Sequence, residues 1–216
     1  MGKTLSKAII FDFDGTLVDS EKAIYQCFTA VTKKIAPDRI KFAKNILIGP
    51  PLRDTASNIL GPDHQNKLDE FVNNFIEMHD NQVILFTKPY AGVEYFLQKF
   101  SSQKIIMAIA TNKRLSPTKT LLSHFGWEKY FNYIECSDSL TLIRNKDKLI
   151  RDIVSKNEQF KNGYFVGDTI NDGLSANLNQ LKFIRAYYGY GRKQDWSMIE
   201  IEQSIEMFSD LDKIVN

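Results

Sequence analysis

The chain is poor in cysteine: Cys27 and Cys136 are its only two in 216 residues. Two thiols cannot build a disulfide scaffold, and such sparing use fits a reducing cytosol. An excess of charge is also missing, since 28 Lys and Arg stand against 26 Asp and Glu for a formal net of +2. That balance excludes a bulk electrostatic pull toward nucleic acid or a membrane surface. No apolar run approaches the ~18 residues that a membrane span needs. Residues 1–7 lead into an apolar run too short for a signal-peptide core, and Asp12 and Asp14 interrupt it. There is no internal repeat and no low-complexity tract. What remains is an ordinary globular balance, 43% apolar and 25% charged, in a chain long enough to bury a core and to form one or two domains. A cytoplasmic protein is expected, with neither nucleic acid nor membrane as partner. Its chemistry must come from placement.

Short apolar runs alternate with helical patterns. The runs are residues 8–11, 105–110, 133–134, 164–166 and 183–184. Each is strand-length and several are almost continuous, as parallel strands covered on both faces read. Between them, Val93, Phe96, Leu97 and Phe100 form a helical stripe. Leu121, Leu122 and Phe125 form another, and Leu149, Ile150, Ile153 and Val154 a third. The alternation predicts an α/β fold, a three-layer Rossmann-like parallel sheet with helices on its faces. From residue 19 to 86 the alternation stops. Ile24, Phe28, Val31 and Ile35 keep helical spacing, as do Leu68, Phe71, Val72, Phe75 and Ile76. Asp19 or Ser20 suits the N-cap of the first helix, and Pro50-Pro51 and Gly61-Pro62 punctuate the stretch. An α-helical insert is therefore expected over 19–86, after the first strand, within a core domain of residues 1–18 and 87–216.

The first run passes into Phe11-Asp12-Phe13-Asp14-Gly15-Thr16-Leu17. Residues two apart in an extended segment face the same side, so Asp12 and Asp14 are expected to converge at the end of a buried strand. Two carboxylates there repel one another and are costly to bury unpaired. A bound cation resolves the conflict. Gly15 suits a tight exit turn, and Thr16 adds a hydroxyl. The run at 164–166 ends in a similar way, in Gly167-Asp168 followed by Thr169-Ile170-Asn171-Asp172. Hard divalent ions such as Mg²⁺ take oxygen ligands of this kind. The run at 105–110 ends in Thr111-Asn112-Lys113, a hydroxyl, an amide and an ammonium suited to phosphate oxygens. Ligands of open α/β sheets sit outside the carboxyl ends of the strands, so these three run ends are expected to form one site. Other candidates read as structural. His64, His79 and His124 lack metal-ligand spacing, and Cys136 has no companion for thiol chemistry. Gly189-Tyr190-Gly191 lacks the third glycine of a dinucleotide fingerprint. Trp127, Tyr130 and Phe131 read as core.

These motifs resemble those of the haloacid dehalogenase superfamily. Residues 12–16 match its DxDGT motif. Thr111 matches its second motif, with the Thr-Asn-Lys extension, and Gly167, Asp168 and Asp172 match GDxxxD. Residues 48–53, 89–93 and 189–191 are similar to the phosphoglycolate phosphatase branch, which carries a small helical cap after the first motif. The family's lysine falls within 144–150, where the branch's usual proline is missing. Lys146 suits the role first and Lys148 second. The resemblance implies a Mg²⁺-dependent phosphatase acting on a small phosphorylated metabolite, phosphoglycolate-like, through an aspartyl-phosphate. Asp12 would be the nucleophile and Asp14 the acid and base. Mg²⁺ would be held by Asp12, the Asp14 carbonyl and Asp168, with Asp172 assisting directly, through water, or by orienting the lysine. Gly15, Thr111, Asn112 and the lysine would face the phosphoryl group, and Lys113 the substrate. Arg53, in the insert, either reaches a substrate anion or stands solvated at a helix start. Asp14 speaks for phosphoryl chemistry, because dehalogenases lack this second acid. A sugar-phosphate mutase of β-phosphoglucomutase type, which resembles this cap class and uses the same aspartyl-phosphate, is the enzyme alternative. A signalling receiver domain is roughly half this length and has no place for the insert. An inactive relative kept as a binding module is a third alternative. A monomer or homodimer is expected, and the substrate itself is not legible in these motifs.

Overall fold

The computed structural model describes residues 8–138 and 144–215, so residues 1–7, read above against a signal peptide, lie outside it. The segment Ala8-Ile9-Ile10-Phe11 has no polar side chain and is fully buried. It forms β1 (Ala8–Phe11). After a turn come β2 (Val18–Asp19) and then helices only: α1 (Glu21–Ile35), α2 (Ile40–Ala43), α3 (Leu52–Leu60) and α4 (Leu68–Gln82). Strand–helix alternation then begins with β3 (Lys88–Pro89), α5 (Val93–Ser102), β4 (Ile106–Thr111), α6 (Leu115–Phe125) and β5 (Tyr133–Cys136). It continues through α7 (Lys146–Lys156), β6 (Tyr164–Gly167), α8 (Ile170–Leu178), β7 (Lys182–Ala186), β8 (Gln203–Ile205) and α9 (Leu211–Val215). Among the described residues no helix is long and apolar enough to cross a membrane.

Two units result, one of Met1–Asp19 with Pro89–Asn216, the other Ser20–Lys88. The first holds a six-stranded sheet in the order β5-β4-β1-β6-β7-β8. Every neighbouring pair is parallel, with Ile9 opposite both Met107 and Tyr164. Period-two alternation places Ala8 and Ile10 of β1, Ala108 and Ala110 of β4 and Phe165 of β6 in one cluster with Leu149, Ile150 and Ile153 of α7 and Ala176 of α8. Phe11, on the opposite face, meets Phe208 at 5.9 Å and Phe131 at 6.4 Å. Both faces are therefore dry, which is why the strands read as continuous apolar runs. The α/β class and its Rossmann-like parallel sheet are as expected. β4 begins one residue later than its apolar run and takes in Thr111. β8 went unread because only Ile205 of its three residues is buried. The helical segment begins after β2, not directly after β1.

In the second unit, the stripe Ile24, Phe28, Val31 and Ile35 of α1 is buried as its spacing predicts. Phe28 lies 4.4 Å from Phe75 and 6.2 Å from Phe71 of α4. The buried positions of α4 are Phe71, Phe75 and His79, so the stripe follows i, i+4, i+8 and ends on a histidine stacked on Phe75.

Candidate active site

The chain runs outward from β1 through β4 to β5, then crosses to β6, β7 and β8 on the other side. The crevice where the direction reverses lies at the carboxyl ends of β1 and its neighbours. Asp12 follows β1, Asp168 follows β6, and Thr111 closes β4. Parallel register brings these three ends to one edge. The carboxylates of Asp12, Asp168 and Asp172 each offer an oxygen within 4.8 Å of the others, and all three residues are buried.

One lysine enters this cluster. Lys146, the first residue of α7, is 2% exposed. Its ammonium sits 2.7 Å from Asp12 Oδ1 and donates to Asp172 Oδ1. Lys148 is exposed. Asp172 has both oxygens engaged, because Oδ2 accepts from the amides of Asp168 at 3.1 Å and Thr169 at 2.8 Å and from the Thr169 hydroxyl at 2.6 Å. Asp172 thus caps α8 while it orients the lysine. Asp168 accepts from the Thr16 hydroxyl at 3.2 Å and the Tyr190 amide at 2.6 Å.

Burial pushes the Asp12 carboxyl up to about 7; Lys146 opposes the rise and Asp172 adds to it. Burial, then Asp172 and Asp12, hold Asp168 well above the usual carboxylate range. Burial works against the Lys146 ammonium, but Asp12 and Asp172 outweigh it and keep its pKa above the ordinary lysine value. Three carboxylates against one ammonium carry two negative charges in excess when all are ionised. With oxygen as the only donor atom, the set suits a hard divalent cation. Glycine makes the approach possible. Gly15 has φ +86°, and a Cβ there or at Gly189 would overlap the Asp168 carboxylate.

Asp14 stands just beyond, where Lys113 Nζ contacts both of its oxygens at 3.1 Å. Thr111 is buried, and its hydroxyl accepts from the Lys113 amide at 3.2 Å. Asn112 is buried beside it, and its carbonyl accepts from the Ser137 hydroxyl at 3.0 Å. Asp12, Asp14, Gly15, Thr111, Asn112, Lys113, Lys146, Asp168 and Asp172 therefore belong to one unit. Arg53 belongs to the other, exposed and 2.7 Å from Asp69. The sequence did not single out Thr169, or Tyr188, whose hydroxyl holds the Thr16 carbonyl at 2.8 Å and whose ring packs 4.7 Å from Tyr90. A tyrosine run beside Gly189 was the one available signal.

Known proteins align over almost the whole length. A 5′-nucleotidase of Pseudomonas aeruginosa is 25% identical over 87% of this chain and 85% of its own. A phosphoglycolate phosphatase of Agrobacterium fabrum is 26% identical over 94% and 88%. In fold, a crystal structure of a predicted phosphoglycolate phosphatase from Haemophilus somnus superposes with a TM-score of 0.85 at 22% identity, covering 100% of both chains. A haloacid dehalogenase-like family protein from Streptococcus pneumoniae gives 0.83 at 21% identity, over 99% of this chain and 100% of its own. The haloacid dehalogenase-like hydrolase family matches residues 9–186, from the second residue of β1 to the last of β7. With that match spanning every element that carries the acidic cluster, the chain belongs to the haloacid dehalogenase-like hydrolases.

Proposed function

We propose that the protein is a Mg²⁺-dependent phosphatase that hydrolyses a small phosphorylated metabolite, phosphoglycolate-like, through an aspartyl-phosphate on Asp12. The observation that carries this reading is the third carboxylate. Lys146 already pairs with Asp12 and Asp172, so burying Asp168 against them adds repulsion that no stability argument explains. A cation facing a phosphoryl group needs that excess charge. The relatives named as nucleotidase and phosphatase support this substrate class.

Asp12, the Asp14 carbonyl and Asp168 would hold Mg²⁺, which supplies charge neutralisation at the phosphoryl oxygens when bound. An Asp12 oxygen attacks phosphorus, the ester P–O bond breaks, and Asp14 gives its proton to the leaving alkoxide. Asp14 then takes a proton from water as the water oxygen attacks the same phosphorus. The bond to Asp12 breaks, and inorganic phosphate leaves. Lys146, the Thr111 hydroxyl and the Asn112 amide hold the transferring oxygens, with the main chain at Gly15 beside them. Lys113 orients Asp14. Catalysis here is positioning and neutralisation. The two buried free thiols, Cys27 and Cys136, support a reducing, cytoplasmic setting.

A panel of phosphorylated metabolites and an aryl phosphate, assayed for free phosphate with and without Mg²⁺, tests the reading. Mg²⁺-dependent release without an isomerised sugar phosphate is expected, and the latter product would indicate the mutase instead. Asp12→Asn should lower kcat by about a thousandfold or more. Undiminished Mg²⁺-dependent hydrolysis in that variant overturns the mechanism.

A further inference from the structure

Beside the acidic cluster lies a second set of buried charges to which the reaction assigns no part. Glu135 of β5 and Arg144, which lies two residues before α7, are both more than nine-tenths buried. The Arg144 guanidinium forks. One nitrogen donates to Glu135 Oε2 at 2.8 Å and the Cys136 carbonyl at 3.5 Å. The other donates to Asp152, eight residues on in α7. Lys156, a turn further, closes on the second Glu135 oxygen. The main chain joins in, since the Arg144 amide donates to the Ser137 carbonyl at 2.9 Å and the Ser137 hydroxyl to the Asn112 carbonyl at 3.0 Å.

We propose that Arg144 is a positioning residue: anchored on Glu135 of β5 and on Asp152 of α7, it fixes the start of α7 so that the Lys146 ammonium meets both Asp12 and Asp172. The inference rests on the reading of Lys146 as the cation on the phosphoryl side. Three points support it. Buried ion pairs add little net stability over apolar packing, so two buried charges and their partners need a reason, and fixing geometry is one. Arg144 and Asp152 are not i, i+3 or i, i+4 neighbours on a helix surface; the side chain folds back along α7 and ties the helix to the strand before it. Lys146 has four rotatable bonds and must be held between two carboxylates, which fails if the helix start shifts. Through Ser137 the same frame braces Asn112, so both phosphoryl-facing sides share one support.

The test uses the full chain. Arg144→Lys keeps the charge but cannot hold both partners with one planar fork. Glu135→Gln removes the strand anchor's charge and leaves Arg144 on Asp152, and it serves if Arg144→Lys does not fold. Each should lower kcat by about ten- to a hundredfold, the scale of an ångström-level misplacement, with KM changed less than about threefold. A crystal structure of the variant should show the Lys146 ammonium out of ion-pair reach of Asp12 or Asp172. Lys182→Met, which removes an exposed pair with Glu202, is the control and should leave kcat unchanged. Wild-type kcat in Arg144→Lys and Glu135→Gln overturns the proposal, as does a lowered kcat with Lys146 still on both carboxylates. If Lys146→Met itself retains full activity, the phosphatase reading of the site fails instead, and the two failures are distinct.

Discussion

Asp14 is held apart from the carboxylate cluster, on the ammonium of Lys113, and that separation defines what its loss should do. If it protonates the leaving group, its removal matters most for substrates whose alkoxide leaves badly. Asp14→Asn should reduce kcat on an alkyl phosphate about tenfold more than on an aryl phosphate with an acidic phenol. Equal losses on both substrates would remove the acid role. At this scale much was legible. The i, i+2 acids after one apolar run and the i, i+4 acids after another stood out, because strand ends are where buried carboxylates need a partner. Lys146 over Lys148 was legible as well: Lys146 lies three and four residues before Leu149 and Ile150 on the buried stripe of α7, while Lys148, about 200° round the helix from it, is exposed. Tyr188 was illegible for a physical reason: it reaches a carbonyl 172 residues away, and no local pattern encodes such a contact.

Among the elements, the turn between β1 and β2 is closely packed against the acidic cluster. Gly15 holds φ +86° there, with the Asp168 carboxylate where a side chain would begin. Gly15→Ala should destabilise by about 1–3 kcal/mol and also weaken Mg²⁺ binding, since Asp168 must shift. Gly126 is the comparison, with φ +67° but nothing within 4 Å of an added Cβ. Gly126→Ala should carry the backbone strain alone, with Mg²⁺ affinity intact; thermal melts and calorimetric titration separate the two effects. The strands with two dry faces were readable as apolar runs. β8 was not, since Gln203 and Ser204 are exposed and it pairs only with β7, at the sheet's edge. β2 and β3 have two residues each, too few for any period to register.

For the whole molecule, the acidic cluster ties stability to pH. Burial pushes the Asp12 carboxyl up to about 7 and raises Asp168 as well, both above the ordinary aspartate value of 3.8. Stability linked to the Asp12 proton is full below pH ~4 and is lost as pH rises through about 7, and the retained Asp168 proton acts with the same sign. Glu135 opposes this: burial pushes it up, but Lys156 and Arg144 hold it below its ordinary value. A cation binds the deprotonated carboxylates, so its stabilising effect must grow over the same range. Thermal melts in a chelator and in millimolar Mg²⁺ should show a larger Mg²⁺-induced rise in Tm at pH 8 than at pH 5. A rise independent of pH would contradict the assignment of Asp12 and Asp168 as ligands.

β1 is the central strand, yet its two partners come late in the chain. Ile9 lies opposite Met107 on one side and Tyr164 on the other. A ribosome adding ~5–20 residues per second needs on the order of 10 s after making β1 before β6 has been synthesised. Both hydrogen-bonding edges of this Ala-Ile-Ile-Phe segment stay bare until β4 has been made, and one stays bare until β6 has been made, so the segment needs shelter during synthesis.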